Sequence, residues 1–386
     1  MPIRKVLVLA DFDIQGGTGT FLRRLLGYLA SRYEVHFAFR PGTFNAEMGE
    51  LLSGLGCSFS LDGGLWAGLE SFFSRVFRRL RVGIFYLYFR DSLIRRYLEF
   101  RYRPHLIAIS QGNGYSHFAF LRSARPVVMM THSLFGDSIR SNAAGGLFAA
   151  LFGGVDQNNK RICAVSQMAT ALFRRNIHSS TLSAIAVCVP NYGENFAFDR
   201  DFGKAHTLVV LTMGYLVDYK NPHVWMNVAK KARSRFKDRV RFVWAGEGEL
   251  LGELRQEARS VSGIEFPGFV KDTRTLFQKA DIYFQPSRAE SQGLAVVDAL
   301  AASLPCVVSK AGGLPESVSD GVEGYVCDIY SEEQYLEALS RLIENETLRE
   351  SMGRAARKKY ETKFSQDIWE SRMDGILEEV IRRTYK

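Results

Sequence analysis

The sequence has few cysteines and none of the spacings that build metal sites or disulfide scaffolds. The five cysteines are an odd number among 386 residues, and no Cys-x-x-Cys pair or zinc-type Cys/His spacing occurs. We therefore predict no structural zinc site and five reduced thiols in or near the core of a cytoplasmic protein. They are Cys57, Cys163, Cys188, Cys306 and Cys327.

Long hydrophobic runs are also missing. The apolar run Val82–Phe89 has eight residues, whereas a helix that spans a bilayer needs about 20. Asp11 and Asp13 interrupt the first apolar segment, so this segment does not have the pattern of a secretory signal peptide. No other ligand types accompany this Asp-x-Asp pair, and we expect it to bind no metal.

Acidic residues are scarce in the first half of the chain. Residues 1–190 carry 22 Lys and Arg against 11 Asp and Glu, whereas residues 191–386 carry 28 against 30. A basic half of this kind indicates an anionic partner, either a nucleic acid, a phospholipid surface or a phosphorylated substrate.

The basic charge is concentrated in the segment Glu70–Arg103, which holds nine arginines and ten aromatic residues. Helical spacing places apolar side chains on one stripe with arginines beside it, as in a helix that lies on an anionic membrane. A core-packed helix with a solvated basic face would show the same pattern. RNA binding is not favoured, since no recognition-module signature accompanies the arginines. The predicted membrane or acceptor patch is Arg75, Arg78, Arg79, Arg81, Arg95 and Arg96.

Short apolar runs alternate with helical patterns along the whole chain. Most of these runs are continuously apolar, which is typical of parallel strands buried on both faces. The predicted fold class is therefore α/β, with two doubly wound Rossmann-like domains facing a cleft. The predicted strands are Lys5–Ala10, Glu34–Phe39, Leu106–Ser110, Val127–Thr131, Ile162–Val165, Ala184–Val189, Leu208–Met213, Val240–Ala245, Asp281–Gln285 and Cys306–Ser309.

A polar, turn-rich stretch separates the two halves. We predict an N-terminal domain over residues 1–190, a linker over 191–205 and a C-terminal domain over 206–365. Residues 366–386 then form an amphipathic helix that crosses back to the N-terminal domain. Its apolar face comprises Trp369, Met373, Ile376, Leu377 and Val380.

Two features of the first half are candidates for ligand contacts. Gly16 and Gly17 lie in a small-residue loop after the first strand, where backbone amides can approach a phosphate or a sugar. An ordinary tight turn would use the same residues. His132 follows the strand Val127–Thr131, where it can donate a hydrogen bond or serve acid–base chemistry, although a lone histidine is more often structural.

The second half offers a cation beside a helix start. Gly214 closes the strand Leu208–Met213, and Lys220 stands two residues before Pro222, which suits the first turn of a helix. An anionic ligand at this place gains from both the helix dipole and the ammonium group. A solvated lysine in a turn is the plain alternative.

Two carboxylates flank a second helix start. Glu290 is placed to bind sugar hydroxyls, and Asp298 is placed to bind a vicinal diol such as a ribose. An aspartate among apolar helix residues needs a partner if it is buried, although a capped helix explains the pattern as well. The backbone amides between the two can accept a diphosphate, and they belong to Ser291, Gln292, Gly293 and Leu294.

Four strings follow one another in the second half: GYLVDYKNP, WAGEGEL, FPGFVKD and ADIYFQPSRAESQGLAVVDALAASLPCVVSKAGGLPESVSDGVEGYV. Through them, residues 207–330 resemble the donor-binding domain of the family 4 (group 1) retaining glycosyltransferases, which have the GT-B fold. The first half resembles this family more loosely, through GGTGT, VVMMTHS and AVSQMA. The resemblance implies a nucleotide-diphosphate sugar as donor, retention of anomeric configuration, and no metal or other cofactor.

The resemblance also implies roles for individual residues. Lys220 would neutralise the diphosphate, Glu290 would touch the donor sugar, and Asp298 would hold the ribose. Backbone atoms of Phe269 and Val270 would meet the base. From the other domain, Gly16 and Gly17 would approach the donor, and the implied catalytic residues are His132, Lys220 and Glu290.

The chain departs from the family pattern at two positions. Tyr215 stands where members commonly have arginine, so one cation for the diphosphate is missing, and Arg288 is a candidate replacement. Asp298 stands where glutamate is usual. Its side chain is one methylene shorter, which predicts a weaker or water-mediated contact with the ribose.

These observations predict a sugar transferase at a membrane. The expected acceptor is a lipid-linked saccharide or a glycolipid in surface-polysaccharide synthesis, and the expected location is the inner face of the cell membrane. A nucleotide-sugar epimerase or a phosphorylase of the same fold remains an alternative. A catalytically silent protein that binds a nucleotide sugar and supports another transferase is a further one.

Overall fold

The computed structural model describes residues 5–10, 16–39, 45–60, 83–112, 117–132, 151, 154–177, 179–196, 198 and 207–385, with the backbone alone for 39 and 83–87. By its contacts the chain divides into two units, of which the first comprises Met1–Val189 with Glu370–Lys386 and the second comprises Pro190–Trp369. The predictions for Asp11, Asp13, Arg75, Arg78, Arg79 and Arg81 lie outside the described residues.

The first unit is built on a seven-stranded parallel sheet of order β3-β2-β1-β4-β5-β6-β7, which changes direction between β1 and β4. Its strands are β1 Lys5–Ala10, β2 Glu34–Phe39, β3 Ser58–Ser60, β4 Leu106–Gln111, β5 Val127–Thr131, β6 Lys160–Ala164 and β7 Ala186–Cys188. Its described helices are α1 Gly16–Ala30, α2 Ala46–Gly54, α3 Gly83–Tyr102, α4 Gln167–Asn176 and α5 Ser180–Ala184, with a 3₁₀ turn at Phe118–Arg122.

The second unit repeats this architecture with a six-stranded parallel sheet of order β10-β9-β8-β11-β12-β13. Its strands are β8 Leu208–Met213, β9 Val240–Ala245, β10 Ile264–Gly268, β11 Ile282–Gln285, β12 Cys306–Ser309 and β13 Gly324–Cys327. Its helices are α6 Pro222–Phe236, α7 Leu251–Ala258, α8 Thr273–Lys279, α9 Leu294–Ala301, α10 Leu314–Ser317, α11 Glu332–Glu344 and α12 Glu346–Lys359, with 3₁₀ turns at Asp218–Lys220 and Lys237–Arg239 and a π turn at Tyr360–Phe364. The predicted α/β fold class is confirmed.

The central strands carry the hydrophobic cores. Every residue of Leu106–Gln111 and of Val127–Thr131 is buried, as expected for strands covered on both faces. In the second unit the indole of Trp225 packs edge-on against the rings of Phe242, Trp244 and Phe266. All five cysteines lie in the described part of the chain, where they are free thiols. Cys188 is half-buried and the other four are buried, in line with the predicted position in or near the core.

The first helix begins earlier than predicted. Gly16 and Gly17 lie in the first turn of Gly16–Ala30 rather than in a loop before it. Gly16 has a φ of +67°, which a glycine adopts without strain and which allows the chain to turn into the helix. The prediction of a glycine loop was therefore wrong, although both residues do lie beyond the end of β1.

The C-terminal helix α13, Gln366–Arg382, has the predicted apolar face. Trp369, Met373, Leu377 and Val380 are buried, whereas Ile376 is half-buried. From residue 370 onward the helix belongs to the first unit. There Asp374 bonds to Tyr28 of α1, Glu370 bonds to Arg32 just after α1, and Glu379 bonds to Arg161 of β6.

None of the helices in the described part of the chain combines the length and the apolar character that crossing a bilayer requires.

Candidate functional site

The second sheet changes direction between β8 and β11, and the site residues predicted in the second half follow these two strands. In a doubly wound sheet, the loops at the carboxyl ends of the two strands flanking the change diverge and leave a crevice for a ligand. Lys220 lies in the loop after β8, and Glu290 lies in the loop after β11. The strand order therefore explains why residues 70 positions apart meet.

Two glycines in the loop after the neighbouring strand β9 allow close packing against the loop after β8. A Cβ atom on Gly246 would overlap the carbonyl oxygen of Gly214, and a Cβ atom on Gly248 would overlap that of Leu216. The indole of Trp244 donates a hydrogen bond of 2.9 Å to the same Gly214 oxygen. This close packing fixes the start of the segment that carries Lys220.

The other end of this segment is oriented by Asn221, which has a left-handed backbone conformation. Asn221 has a φ of +61°, and its side-chain amide donates to the carbonyl oxygens of Pro286 at 3.1 Å and of Ile329 at 3.3 Å. Pro222 then occupies the first turn of α6, as predicted. Lys220 is thus held beside a helix N-terminus, with its side chain passing over Gly214.

The loop after β11 is fixed by the loop after β12. The amide of Gly313 donates a hydrogen bond of 3.0 Å to the carbonyl oxygen of Glu290. Gly312 has a φ of +52°, and a Cβ atom there would overlap the same oxygen. Only glycine therefore fits at Gly312 without moving the backbone of Glu290.

The Lys220 ammonium contacts the Glu290 carboxylate directly. Atom Nζ of Lys220 donates to Oε1 of Glu290, and their side chains are 15% and 10% exposed. The same oxygen accepts from Nε2 of Gln285 at 2.6 Å and from Oγ of Ser287 at 3.1 Å. An ion pair in this partly desolvated setting is held by charge-assisted hydrogen bonds rather than by Coulomb attraction alone.

Arg288, the candidate replacement for the arginine at the Tyr215 position, contacts the loop after β8. Its guanidinium pairs with the carboxylate of Asp218 and donates to the Asp218 carbonyl oxygen at 2.8 Å. Its backbone amide bonds to the carbonyl of Tyr219 at 2.7 Å. Arg288 thus connects the two loops that carry Lys220 and Glu290.

Asp298 has the partner that the sequence called for. Its Oδ1 atom accepts a hydrogen bond of 2.7 Å from the backbone amide of Glu194. The side chain of Gln292 pairs with the backbone of Asn191 in both directions, at 2.8 and 3.1 Å. Asp298 and Gln292, both predicted to serve the ligand, thus also anchor the start of the second unit through their side chains.

The remaining predicted positions of the second unit lie around the same sheet edge. Phe269 follows β10 and is 67% exposed, and Val270 is half-buried. Gly293 is left-handed, with a φ of +84°, and directly precedes α9. Among the described residues, no side chain caps this helix start, whose first amides have no partner within the helix. The residues of this start are Ser291, Gln292, Gly293 and Leu294.

In the first unit, His132 follows β5 as predicted. Its Nε2 atom lies 3.2 Å from the hydroxyl of Ser110 at the end of β4, and its ring packs at 4.5 Å from the ring of Phe21. Its backbone amide bonds to the carbonyl of Gln111 at 3.0 Å. The sequence placed the histidine correctly but gave no sign of these partners.

Of the predicted basic patch, the structure describes two arginines. Arg96 is exposed on α3. Arg95 is 13% exposed and donates to Glu99 and to the carbonyl of Arg122, each at 3.4 Å. Arg95 is thus mostly covered within its own unit, whereas Arg96 is open to solvent.

Sequence reasoning missed three buried polar residues beneath Glu290. They are Tyr283, Gln285 and Ser287, which are 0%, 2% and 0% exposed. Gln285 did carry a signal, because an uncharged amide ends an otherwise apolar strand. Within the described residues, no group of three or more His, Cys, Asp or Glu side chains is arranged to hold a metal ion.

Comparisons with known proteins show what this chain is similar to. Residues 195–359 match the family described as glycosyl transferases group 1. A D-inositol 3-phosphate glycosyltransferase of Corynebacterium aurimucosum is 32% identical over 161 residues, which are 39% of this chain and 38% of that protein. An N-acetyl-alpha-D-glucosaminyl L-malate synthase of Bacillus anthracis is 28% identical over 134 residues, which are 35% of this chain and 34% of that protein.

The chain thus spans between 34% and 38% of the length of these two curated relatives. In structure it is similar to HepE of Anabaena in complex with UDP-glucose, with a TM-score of 0.72 and 18% identity, over 97% of this chain and 99% of that one. Residues 195–359 thus match the family that the sequence resembles, and the fold class is the predicted GT-B.

Proposed function

We propose that this protein transfers a sugar from a nucleotide-diphosphate donor to an acceptor. The observation that carries the proposal is the contact between Lys220 and Glu290 at the point where the second sheet changes direction. An ammonium group and a helix start favour a diphosphate, and a carboxylate favours sugar hydroxyls. The activities for which the two curated relatives are named support the same reaction class.

The proposed reaction requires that the negative charge on the leaving group be stabilised. When the bond between sugar and diphosphate breaks, negative charge grows on the diphosphate oxygens. Lys220 and the first amides of α9 would stabilise this charge from fixed positions, which lowers the barrier without a metal ion. We propose attack by the acceptor on the face from which the diphosphate departs, with retention of configuration and with His132 bonded to the sugar. Asp298 and the backbone at Phe269 and Val270 would hold the ribose and the base.

A uridine diphosphate sugar is the first donor to test, because HepE was solved with UDP-glucose. A bound donor should raise the melting temperature of the protein, since ligand binding stabilises by RT ln(1 + [L]/Kd). We would compare UDP-glucose, UDP-N-acetylglucosamine and GDP-mannose by thermal unfolding. We would then measure release of the nucleotide with water as the acceptor.

Glu290→Gln should abolish nucleotide release while the stabilisation by UDP remains. Glu333→Gln changes an exposed glutamate of the same unit and is the matched control. Equal release by Glu290→Gln and wild type would contradict the proposal. Conversion to an epimeric nucleotide sugar without nucleotide release would favour an epimerase, and binding without any conversion would favour a silent partner protein.

For the acceptor we propose a lipid-linked saccharide or glycolipid at an anionic membrane. The support is the face of α3 formed by Phe89, Leu93, Tyr97 and Phe100, whose exposed fractions are 48%, 44%, 37% and 78%. The spacing of these residues keeps them on one side of the helix. Exposed arginines on and just after the same helix add positive charge, which favours an anionic lipid surface over a neutral partner. They are Arg96, Arg101 and Arg103.

A further inference from the structure

A buried amide lies directly beneath Glu290. Gln285 is the last residue of β11 and is 2% exposed, next to the fully buried Phe284. A buried amide is costly unless both of its ends are hydrogen-bonded. Both ends of Gln285 are satisfied, and one of them is satisfied by the Glu290 carboxylate.

The orientation of this amide follows from its partners. Nε2 lies 2.6 Å from Oε1 of Glu290, and Oε1 of Gln285 lies 2.9 Å from the hydroxyl of Tyr283. The reverse orientation would set a carbonyl oxygen against the carboxylate oxygen, so the amide donates to Glu290.

The Tyr283 hydroxyl that bonds to Gln285 is itself held by the backbone of Met213. The hydroxyl oxygen lies 3.3 Å from both the amide nitrogen and the carbonyl oxygen of Met213. The contact with Gln285 is shorter, so the single hydroxyl proton goes to Gln285 while the Met213 amide donates to the hydroxyl. Burial raises the pKa of Tyr283 well above its ordinary value, so the hydroxyl keeps this proton.

All the hydrogen bonds that the described residues make to the Glu290 carboxylate fall on one oxygen. Oε1 accepts from Lys220, Gln285 and Ser287, and none of the described residues donates to Oε2. A donor diphosphate would compete for Lys220. Gln285 and Ser287 would then be left to hold Oε1, with Oε2 turned to the sugar.

We propose that Gln285, fixed by Tyr283, is a positioning residue that aligns the Glu290 carboxylate with the donor sugar. The inference rests on the proposed function, since it assigns Glu290 to the sugar. It adds that a residue of β11 holds the Glu290 carboxylate in a fixed orientation before the donor binds. Preorganised groups of this kind accelerate the chemical step more than they tighten binding.

Gln285→Met removes both hydrogen bonds and keeps the length of the side chain. We expect kcat for nucleotide release from the sugar donor to fall by about 10-fold, the size of effect that one lost charge-assisted hydrogen bond gives. The Kd for UDP, which has no sugar, should stay within about two-fold of wild type. Tyr283→Phe removes only the hydroxyl and should lower kcat by less, because Glu290 still orients the amide.

Gln285→Glu separates positioning from packing. A protonated glutamic acid accepts from Tyr283 and donates to Glu290, as the glutamine does, whereas an ionised one repels Glu290. The titratable groups near this place are Glu290, Lys220 and Tyr283, with Asp298 and Cys306 beyond them. We therefore expect Gln285→Glu to approach the wild-type rate at low pH and to lose activity as the pH rises, while Gln285→Met stays slow throughout.

The outcomes distinguish the two proposals. If UDP does not bind the wild type and no donor is turned over, the proposed function is wrong. If the wild type is active and Gln285→Met, or Gln285→Glu at high pH, keeps the wild-type kcat, the positioning role is wrong. Should Gln285→Met fail to fold by thermal unfolding, the pH profile of Gln285→Glu and the kcat of Tyr283→Phe decide.

Discussion

The carboxylate of Asp298 accepts a hydrogen bond of 2.7 Å from the backbone amide of Glu194, which lies 104 residues earlier in the chain. Gly193 makes this contact possible, because a Cβ atom there would come within 2.9 Å of the carbonyl oxygen of Val297. Arg357 secures the same segment by donating to the carbonyl of Phe196 at 2.9 Å. The segment that begins the second unit is therefore bound to the helix that carries Asp298.

The two roles assigned to Asp298 can be separated by substitution. Asp298→Asn keeps an oxygen that can accept from Glu194 and should leave the free energy of unfolding nearly unchanged. Asp298→Ala removes the acceptor and should cost about 1 kcal/mol. If Asp298 also holds the ribose, both variants should weaken UDP binding. Denaturant unfolding and calorimetric titration measure the two effects, and an Asp298→Ala variant as stable as wild type would contradict the anchoring role.

Gly312, which packs against the backbone of Glu290, can be tested with Gly321 as a matched control. Gly312→Ala and Gly321→Ala both place a Cβ atom on a backbone of positive φ, at +52° and +77°. At Gly312 the new atom would overlap the carbonyl oxygen of Glu290, whereas at Gly321 nothing lies within 4 Å. We expect Gly321→Ala to lose about 1 kcal/mol of stability from backbone strain alone.

Gly312→Ala should lose more stability than Gly321→Ala and should also lose nucleotide release, because the backbone of Glu290 has to move. Thermal unfolding and the release assay check both effects. Equal activity in the two alanine variants would show that the loop after β12 does not fix Glu290.

Which strands could be predicted follows from where they lie in the sheets. Apart from the edge strand β7, the predicted strands correspond to central or near-central elements, whose continuous apolar runs reflect burial on both faces. The three missed strands, Ser58–Ser60, Ile264–Gly268 and Gly324–Cys327, each lie at a sheet edge. Edge strands tolerate Pro267, terminal glycines and polar residues, so their sequences carry no clear strand pattern.

Those features of the site that depend on the local sequence pattern could be predicted. Lys220 and Glu290 each follow a recognisable strand and precede a recognisable helix, so their meeting follows from the topology. The partner of Asp298 was not predictable, since a backbone amide 104 residues away leaves no mark on the local sequence. The engagement of Arg288 with Asp218 was missed for the same reason, because only the fold brings the two loops together.

A buried lysine in the first unit predicts how stability changes with pH. The Lys160 ammonium donates to the carbonyl of Arg125 at 2.8 Å and contacts the side chain of Asn159. Burial lowers the pKa of Lys160 from 10.5 to about 8. Between these two values the unfolded chain binds a proton that the folded chain does not, so the free energy of unfolding rises with pH in this window.

Lys160→Met removes this titration. From about pH 7 to about pH 9, the wild type should gain about 1 kcal/mol of unfolding free energy relative to Lys160→Met. Lys279→Met changes an exposed lysine of the second unit and should show no such difference from wild type. Parallel stability curves for wild type and Lys160→Met would contradict the assignment.

The exposed face of α3 predicts membrane binding that depends on two apolar side chains. Leu93→Ser with Phe100→Ser should weaken flotation with anionic vesicles, because burial of two large side chains in the interface is lost. Val322→Ser with Tyr330→Ser removes comparably exposed side chains from the second unit and is the control. Wild-type protein that does not float with vesicles rich in anionic lipid at low salt would contradict the membrane proposal.

The most direct test of the diphosphate site compares the UDP affinity of Lys220→Met with the affinities of the wild type and of Lys279→Met. An ammonium group that contacts a diphosphate contributes about 1.5–3 kcal/mol, so the Kd for UDP of Lys220→Met should rise by about 10-fold to 100-fold. Lys279→Met should bind UDP as the wild type does, and uridine should bind all three proteins alike. Equal Kd values for UDP in Lys220→Met and wild type would contradict the placement of the donor diphosphate at Lys220.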